Sequence, residues 1–256
     1  MIVQIREDCL RLFTQHDHGL MTGALAQAWV GNSGGQGLSF DLTLAAALHD
    51  AAWRQADESP LLDPQTGRPH DFISYPYDRR LDFYSHGVDA LEALSVHAAL
   101  LTSRHYVMLS GRTAPEEYRT IEAARQTRLR LKLHRNKDEA LLHVEQSYLL
   151  FLDALSLFVC MTPPGAKKDG LPGWVEPERF ARTPDGQQYQ LEWRHEGYLV
   201  MEPFGFRAPL KLQIPYVELP KLSYDSPDEL ENDWQRAASG FWTVTIGPGE
   251  GAQIPS

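Results

Sequence analysis

The hydrophobic period of this chain changes once, near residue 162, and that change limits the folds open to it. Before it, apolar residues recur at helical spacing. Leu20, Met21, Ala24, Leu25, Ala28 and Trp29 form one stripe, and Leu42, Ala45, Ala46, Ala52 and Trp53 form a second. Val88, Leu91, Leu94, Ala98, Leu101 and Val107 form a third, and Leu141, Leu142, Tyr148, Leu149, Leu152, Leu155 and Val159 a fourth. Pro163 and Pro164 stop the last of these. Beyond them the period is two: Tyr189, Leu191 and Trp193 alternate with polar residues, as do Leu210, Leu212, Ile214 and Tyr216.

The spacing predicts helices over residues 17–29, 41–56, 81–109, 115–136 and 138–161. It predicts an N-terminal hairpin over 2–14 and strands near 189–194, 198–201, 210–216 and 241–246. Pro209 and Pro215 put the 210–216 strand at a sheet edge. The expected fold class is mainly α. Residues 1–161 make a helical domain with an N-terminal hairpin, and residues 162–256 make a β-rich C-terminal extension packing on it. The hairpin is free to join that sheet. The segment 58–80 holds four prolines and little periodicity, which suits either a lid or a surface excursion. The glycine cluster Gly31–Gly37 follows a helix and lacks a phosphate-loop ending, so it reads as a connector.

Composition narrows the function. The 256 residues carry 24 Lys and Arg against 34 Asp and Glu, a net charge of −10. With no basic block, the chain is not expected to bind nucleic acid or an anionic membrane. A small anionic substrate remains open, held by a local patch or a metal. Cys9 and Cys160 form no CxxC pair, and the N-terminal stretch lacks the pattern of a signal peptide. No stretch approaches ~20 apolar residues. A cytoplasmic location is expected.

Two polar interruptions of apolar stripes carry the chemistry. In Ala-Ala-Leu-His49-Asp50-Ala-Ala-Trp53 the histidine shares its stripe with Leu42, Ala45, Ala46 and Trp53, and Asp50 points about 100° away on a regular helix. In Leu-Leu-Phe-Leu-Asp153-Ala-Leu-Ser a carboxylate sits among leucines. A buried carboxylate costs several kcal/mol unless it is paired or metal-bound. Either an arginine or a metal satisfies each aspartate, and a core histidine bonded to a carbonyl satisfies His49.

His18, His49-Asp50 and Asp153 together give the order His…His-Asp…Asp. That order resembles the HD-domain superfamily of metal-dependent phosphohydrolases. Trp53 after the doublet, the Asp-Pro-Gln-Thr-Gly-Arg-Pro loop and Asp-Ala-Leu-Ser-Leu are similar to a bacterial branch of it. The resemblance implies an HD-like helical bundle over about 15–161. It implies a divalent metal (Mn, Mg, Fe, Zn, Co or Ni) ligated by His18, His49, Asp50 and Asp153. His16 competes with His18 for the first position. Some HD enzymes hold a second metal or the substrate with further histidines. The candidates here are His105, with Arg104 beside it as a phosphate contact, and then His86. On one continuous helix His86 and His97 would lie about 16 Å apart, too far to share an ion.

The implied activity is hydrolysis of a small phosphomonoester or phosphodiester, with Asp50, His105 and His86 as catalytic groups. A di-iron oxygenase is a variant of the same reading. The alternative is an inactive scaffold that presents Trp174, Trp193, Tyr198, Phe204, Phe206 and Trp242 to a ligand or protein.

Overall fold

The computed structural model describes residues 1–31, 37–111, 114–133, 139–164 and 182–250. Strands β1 (Ile2–Ile5) and β2 (Leu10–Phe13) form the N-terminal hairpin. Helices α1 (Gln15–Ala28) and α2 (Phe40–Leu48) follow, then a 3-10 turn (Ala51–Trp53) and the short α3 (Arg54–Asp57). Strands β3 (Leu62–Asp63) and β4 (Arg68–Pro69) pair with each other. Next come α4 (Tyr77–Glu92), α5 (Val96–Ser110), α6 (Glu116–Lys132) and α7 (Glu139–Met161). The chain continues with β5 (Gln190–His195), β6 (Tyr198–Glu202), β7 (Leu210–Leu219), α8 (Pro227–Trp234) and β8 (Ala238–Gly247).

Four of the helices start at a side chain that caps them. Thr14, Ser39, Ser95 and Ser226 each accept a hydrogen bond from a backbone N–H in the first turn of the helix that follows. The Ser95 cap divides the stretch 81–109 into α4 and α5. His86 and His97 therefore stand on different helices, and the spacing argument for one continuous helix does not apply to them.

The expectation of a mainly α chain is overturned by the sheet. Six strands pair in the order β1-β2-β7-β8-β6-β5, antiparallel except for β6 against β8. About 50% of the described residues are helical and 21% lie in strands, an α/β fold. The N-terminal hairpin is an integral edge of the curled sheet, because β2 pairs with β7 through Leu10–Leu219, Arg11–Glu218 and Leu12–Val217. Neither is β7 an edge strand: it lies between β2 and β8. Pro215 is tolerated because β2 pairs only with Val217, Glu218 and Leu219. That leaves the β2-side flank of β7 open beside Pro215, and prolines are confined in sheets to such unpaired flanks.

One apolar core joins sheet and helices, with Ile2, Phe13, Val88, Leu101, Leu152, Leu199 and Val244 in the same cluster. A smaller cluster of Met1, Leu10, Leu12, Leu219, Tyr224 and Leu230 packs beneath α8. Helix α7 runs through the middle of the main core and is buried without a break from Phe151 to Cys160. By length and hydropathy it could cross a membrane, but 72% of its apolar window is packed inside the protein. Trp29 seats its ring on Gly205, where any Cβ would collide with the indole, and Phe151, Tyr189 and Phe206 surround it. Phe204 and Phe206 are fully buried and Trp242 nearly so, which removes them from any binding surface. Trp174 lies outside the described residues.

Segment 58–80 is pinned to the rest of the fold. Tyr224 N–H donates to the Gly67 carbonyl at 2.6 Å, Arg68 Nε–H to that of Leu222 at 3.1 Å, and Phe72 N–H to that of Met1 at 3.0 Å. Tyr75 packs edge-on against Trp53.

Candidate metal centre

Helix α1 lies unusually close to α2 because it presents glycines there. A Cβ at Gly23 would stand 2.5 Å from the Ala47 Cβ, and one at Gly19 would stand 3.1 Å from the Ala47 carbonyl oxygen. This approach brings His18 alongside the end of α2. That helix stops at Leu48. His49 still has helical angles, but Asp50 turns to φ −105°, ψ 14° before the 3-10 turn begins. The continuous helix expected to residue 56 is broken at this dipeptide. The break removes the 100° divergence and lets both side chains face one point.

Four elements deliver side chains to that point. His18 Nε2 lies 2.9 Å from Asp153 Oδ1 and 3.7 Å from Asp50 Oδ2. His49 Nε2 lies 3.3 Å from Asp153 Oδ1 and 3.4 Å from Asp50 Oδ2. His105, on α5, places Nε2 3.3 Å from the other oxygen of Asp153. Two overlapping triads, His18-His49-Asp50 and His49-His105-Asp153, keep their ligand atoms within 4.8 Å of one another. Donors bonded to one ion at about 2.1 Å stand about 3.0 Å apart at a right angle and about 3.4 Å apart in a tetrahedron. Four of the five separations, 2.9 to 3.4 Å, lie close to that range, and the fifth, His18 to Asp50, is wider at 3.7 Å.

The polar atoms also fit a cation. His18, His49 and His105 are at most 1% exposed, and Asp50 and Asp153 are at most 8% exposed. Yet His18 Nε2, His49 Nε2, both nitrogens of His105 and Asp153 Oδ1 meet no partner in hydrogen-bonding geometry. Buried polar atoms without partners are uncommon, and each requires an explanation. No Arg or Lys among the described residues pairs with Asp50 or Asp153, so the arginine reading fails for both. The buried His/Asp groups could hold a metal ion.

The far side of two rings is anchored. His49 Nδ1 is 2.9 Å from the Ala46 carbonyl, which only accepts, so Nδ1 carries the proton and Nε2 faces the cluster. His18 Nδ1 is 2.6 Å from Ser156 Oγ. Burial opposes charge on His49, but the Asp50 and Asp153 carboxylates outweigh it and push the imidazole up to about 9. Burial likewise opposes charge on Asp153, yet the His105, His18 and His49 rings around it hold its carboxyl well below the usual carboxylate range. Tyr84 and Tyr106 stack nearby at 3.9 Å, and burial followed by the Asp50 charge drives both phenols up.

All four expected ligands thus converge, and so does His105. His16 does not; its Nε2 is 2.6 Å from Arg54, so of the two only His18 faces the cluster. His86 is exposed on α4 and belongs to neither triad. Arg104 is held by Glu139 at 2.6 Å, so it is engaged elsewhere. His97 bridges Asp41 and Glu145 at 3.3 and 2.8 Å, in a separate cluster. His70 pairs with Ser74. His143 and His195 are exposed, and His134 lies outside the described residues. Ser156 and Thr22 are supporting groups that the sequence reading did not assign. Their signal was helical: each polar residue sits one turn from a ligand, Ser156 after Asp153 and Thr22 after His18, on an apolar stripe.

Residues 1–221 match the family model described as "Protein of unknown function (DUF3891)", and the chain belongs to that family. Searches of curated proteins and of solved structures found no match.

Proposed function

We propose that the protein is a metal-dependent phosphohydrolase acting on a small phosphomonoester or phosphodiester. The observation that carries this reading is the meeting of three imidazoles and two carboxylates from α1, the end of α2, α5 and α7, with the three imidazole Nε2 atoms and Asp153 Oδ1 unpartnered. Two ionised carboxylates balance one dication, and the mixture of imidazole nitrogen and carboxylate oxygen suits Mn, Fe, Co, Ni or Zn and admits Mg. The order His18, His49-Asp50, Asp153 resembles that of the HD-domain superfamily. The reading rests on this cluster and takes nothing from the overall architecture.

When bound, such an ion supplies polarisation of a phosphoryl oxygen and acidification of a water molecule. The chain's own residues do the rest. His18, His49, Asp50 and Asp153 hold the ion, and the apolar helices around them keep bulk water out. His105 sits on the opposite oxygen of Asp153, where it orients the leaving group or holds a second ion. The small anionic substrate draws its charge complement from the ion, because Arg104 is tied to Glu139.

The test is turnover of p-nitrophenyl phosphate and bis(p-nitrophenyl) phosphate by protein loaded in turn with Mn²⁺, Zn²⁺, Co²⁺, Ni²⁺, Fe²⁺ or Mg²⁺. The reading expects hydrolysis that chelation abolishes and that Asp50→Ala and Asp153→Ala lack. Hydrolysis of neither ester with any ion, by protein shown to carry the ion, contradicts it.

A further inference from the structure

Which nitrogen of His18 faces the cluster is decided outside the ligand set. We infer that the Ser156 hydroxyl, backed by Thr22, is the positioning group that keeps the His18 proton on Nδ1 and presents the Nε2 lone pair to a cation. This deepens the metal-centre reading and rests on it.

A count of protons supports the assignment. Thr22 Oγ1 lies 2.9 Å from the carbonyl of His18, which only accepts, so the threonine proton goes there. Ser156 Oγ then touches Thr22 Oγ1 at 2.7 Å, the Asp153 carbonyl at 3.0 Å and His18 Nδ1 at 2.6 Å. Two of these three neighbours are oxygens that can receive the serine proton. Once it goes to either, the third contact is completed by Nδ1–H donating to the serine oxygen. The opposite arrangement, Ser156 donating to a bare Nδ1, moves the ring proton to Nε2. Nε2 lies 2.9 Å from Asp153 Oδ1, and a proton there would occupy the electron pair that a cation at the cluster needs. The first arrangement satisfies every group in the chain of contacts.

His18, Thr22 and Ser156 are all 0% exposed, so no solvent competes for these bonds. His49 reaches the same state through the Ala46 carbonyl. His105 differs, since neither of its nitrogens has a hydrogen-bond partner. Helix α7 therefore supplies both a ligand, Asp153, and, one turn later, the group that aims a ligand on another helix. Ligating histidines characteristically donate their outer N–H to such a partner, and losing it typically weakens metal binding 10–100-fold.

The experiment is Zn²⁺ titration of chelator-stripped full-length protein against a competing chromophoric chelator. The variants are Ser156→Ala, Ser156→Thr and Thr22→Val. It is paired with ¹⁵N NMR of the histidine rings in the Zn²⁺-loaded state. Ser156→Ala is expected to weaken Zn²⁺ binding roughly 10–100-fold. Thr22→Val should weaken it less, and Ser156→Thr, which restores the hydroxyl, should recover affinity. In the loaded wild type the His18 proton should reside on Nδ1, and Ser156→Ala should move the His18 signals while leaving those of His49 in place. Wild-type affinity in Ser156→Ala, or a His18 ring protonated on Nε2, overturns the assignment. If Ser156→Ala does not fold, Thr22→Val decides, and unchanged affinity there overturns it equally. A wild type that takes up no Zn²⁺ is a separate result: the metal centre itself then fails, and this inference falls with it.

Discussion

His18 Nε2 stands 2.9 Å from Asp153 Oδ1, although the two residues belong to helices at opposite ends of the helical segment. The contact exists because α1 and α7 pack together in the core and Asp153 turns toward α1. The same carboxylate oxygen is 3.3 Å from His49 Nε2, so Asp153 is the hub of the cluster. Removing it should cost more than removing any other member. Breaking a buried charge-paired group typically costs about 3–5 kcal/mol. Asp153→Ala is therefore expected to lose bound metal and to lower stability by about that amount in urea denaturation. A variant as stable as the wild type would show that the hub does not stabilise the fold.

The two histidines of Gln-His16-Asp-His18 should behave differently. His16 contacts Arg54 at the surface, whereas His18 points inward. His16→Ala should keep the wild-type metal content, and His18→Ala should lose it. Elemental analysis of both variants checks this, and equal loss in the two would contradict the assignment.

The close contact between α1 and α2 gives a packing test. A methyl group at Gly23 would meet Ala47 Cβ at 2.5 Å and Cα at 2.8 Å, so the helices must separate to admit it. Overpacking of this kind costs about 1–3 kcal/mol. Gly23→Ala should lower the melting temperature and weaken metal binding by shifting His18 away from His49. Adding Ala47→Gly should recover part of both. Additive losses in the double variant would mean the two sites do not share this contact.

Acid sensitivity away from the centre follows from Glu92, which ties α4 to α6. Hydrogen bonds from Arg128 and Lys132 at 2.5 and 2.6 Å hold its carboxyl down to about 2, against 4.5 when unperturbed. A depressed acid stabilises the fold fully above its unfolded pKa and loses that contribution as the pH falls through its folded value. Glu92→Gln should thus be less stable than the wild type above about pH 5, with the difference closing toward about pH 2. Urea titrations across this range measure it. A difference independent of pH would assign the effect to packing.

These outcomes also show which parts of the molecule could be read from sequence. The helices and the clustered His and Asp residues were legible because a polar residue on an apolar stripe, such as Asp153 among leucines, leaves a local mark. Helix breaks were not. Ala51, Ala52 and Trp53 continue the apolar spacing past the end of α2, and Leu94 and Val96 do the same between α4 and α5. The sheet was underestimated for a different reason. Strand β7 runs on to Leu219, past Tyr216 where the expected strand ends, and β8 begins at Ala238, before its alternation starts. Strand pairing is non-local, so nothing near Leu10 signals that Leu219 lies beside it. The roles expected of Arg104 and His86 came from proximity along the chain. In the fold, Glu139 claims the first and solvent the second.

The most direct test of the central claim is the metal-to-protein ratio of material purified without added metal, compared between wild type and Asp50→Ala. The cluster described here predicts a bound divalent ion in the wild type and its loss from Asp50→Ala, with helical content preserved by circular dichroism. Equal metal in the two proteins, or none in the wild type even after incubation with divalent salts, would contradict it.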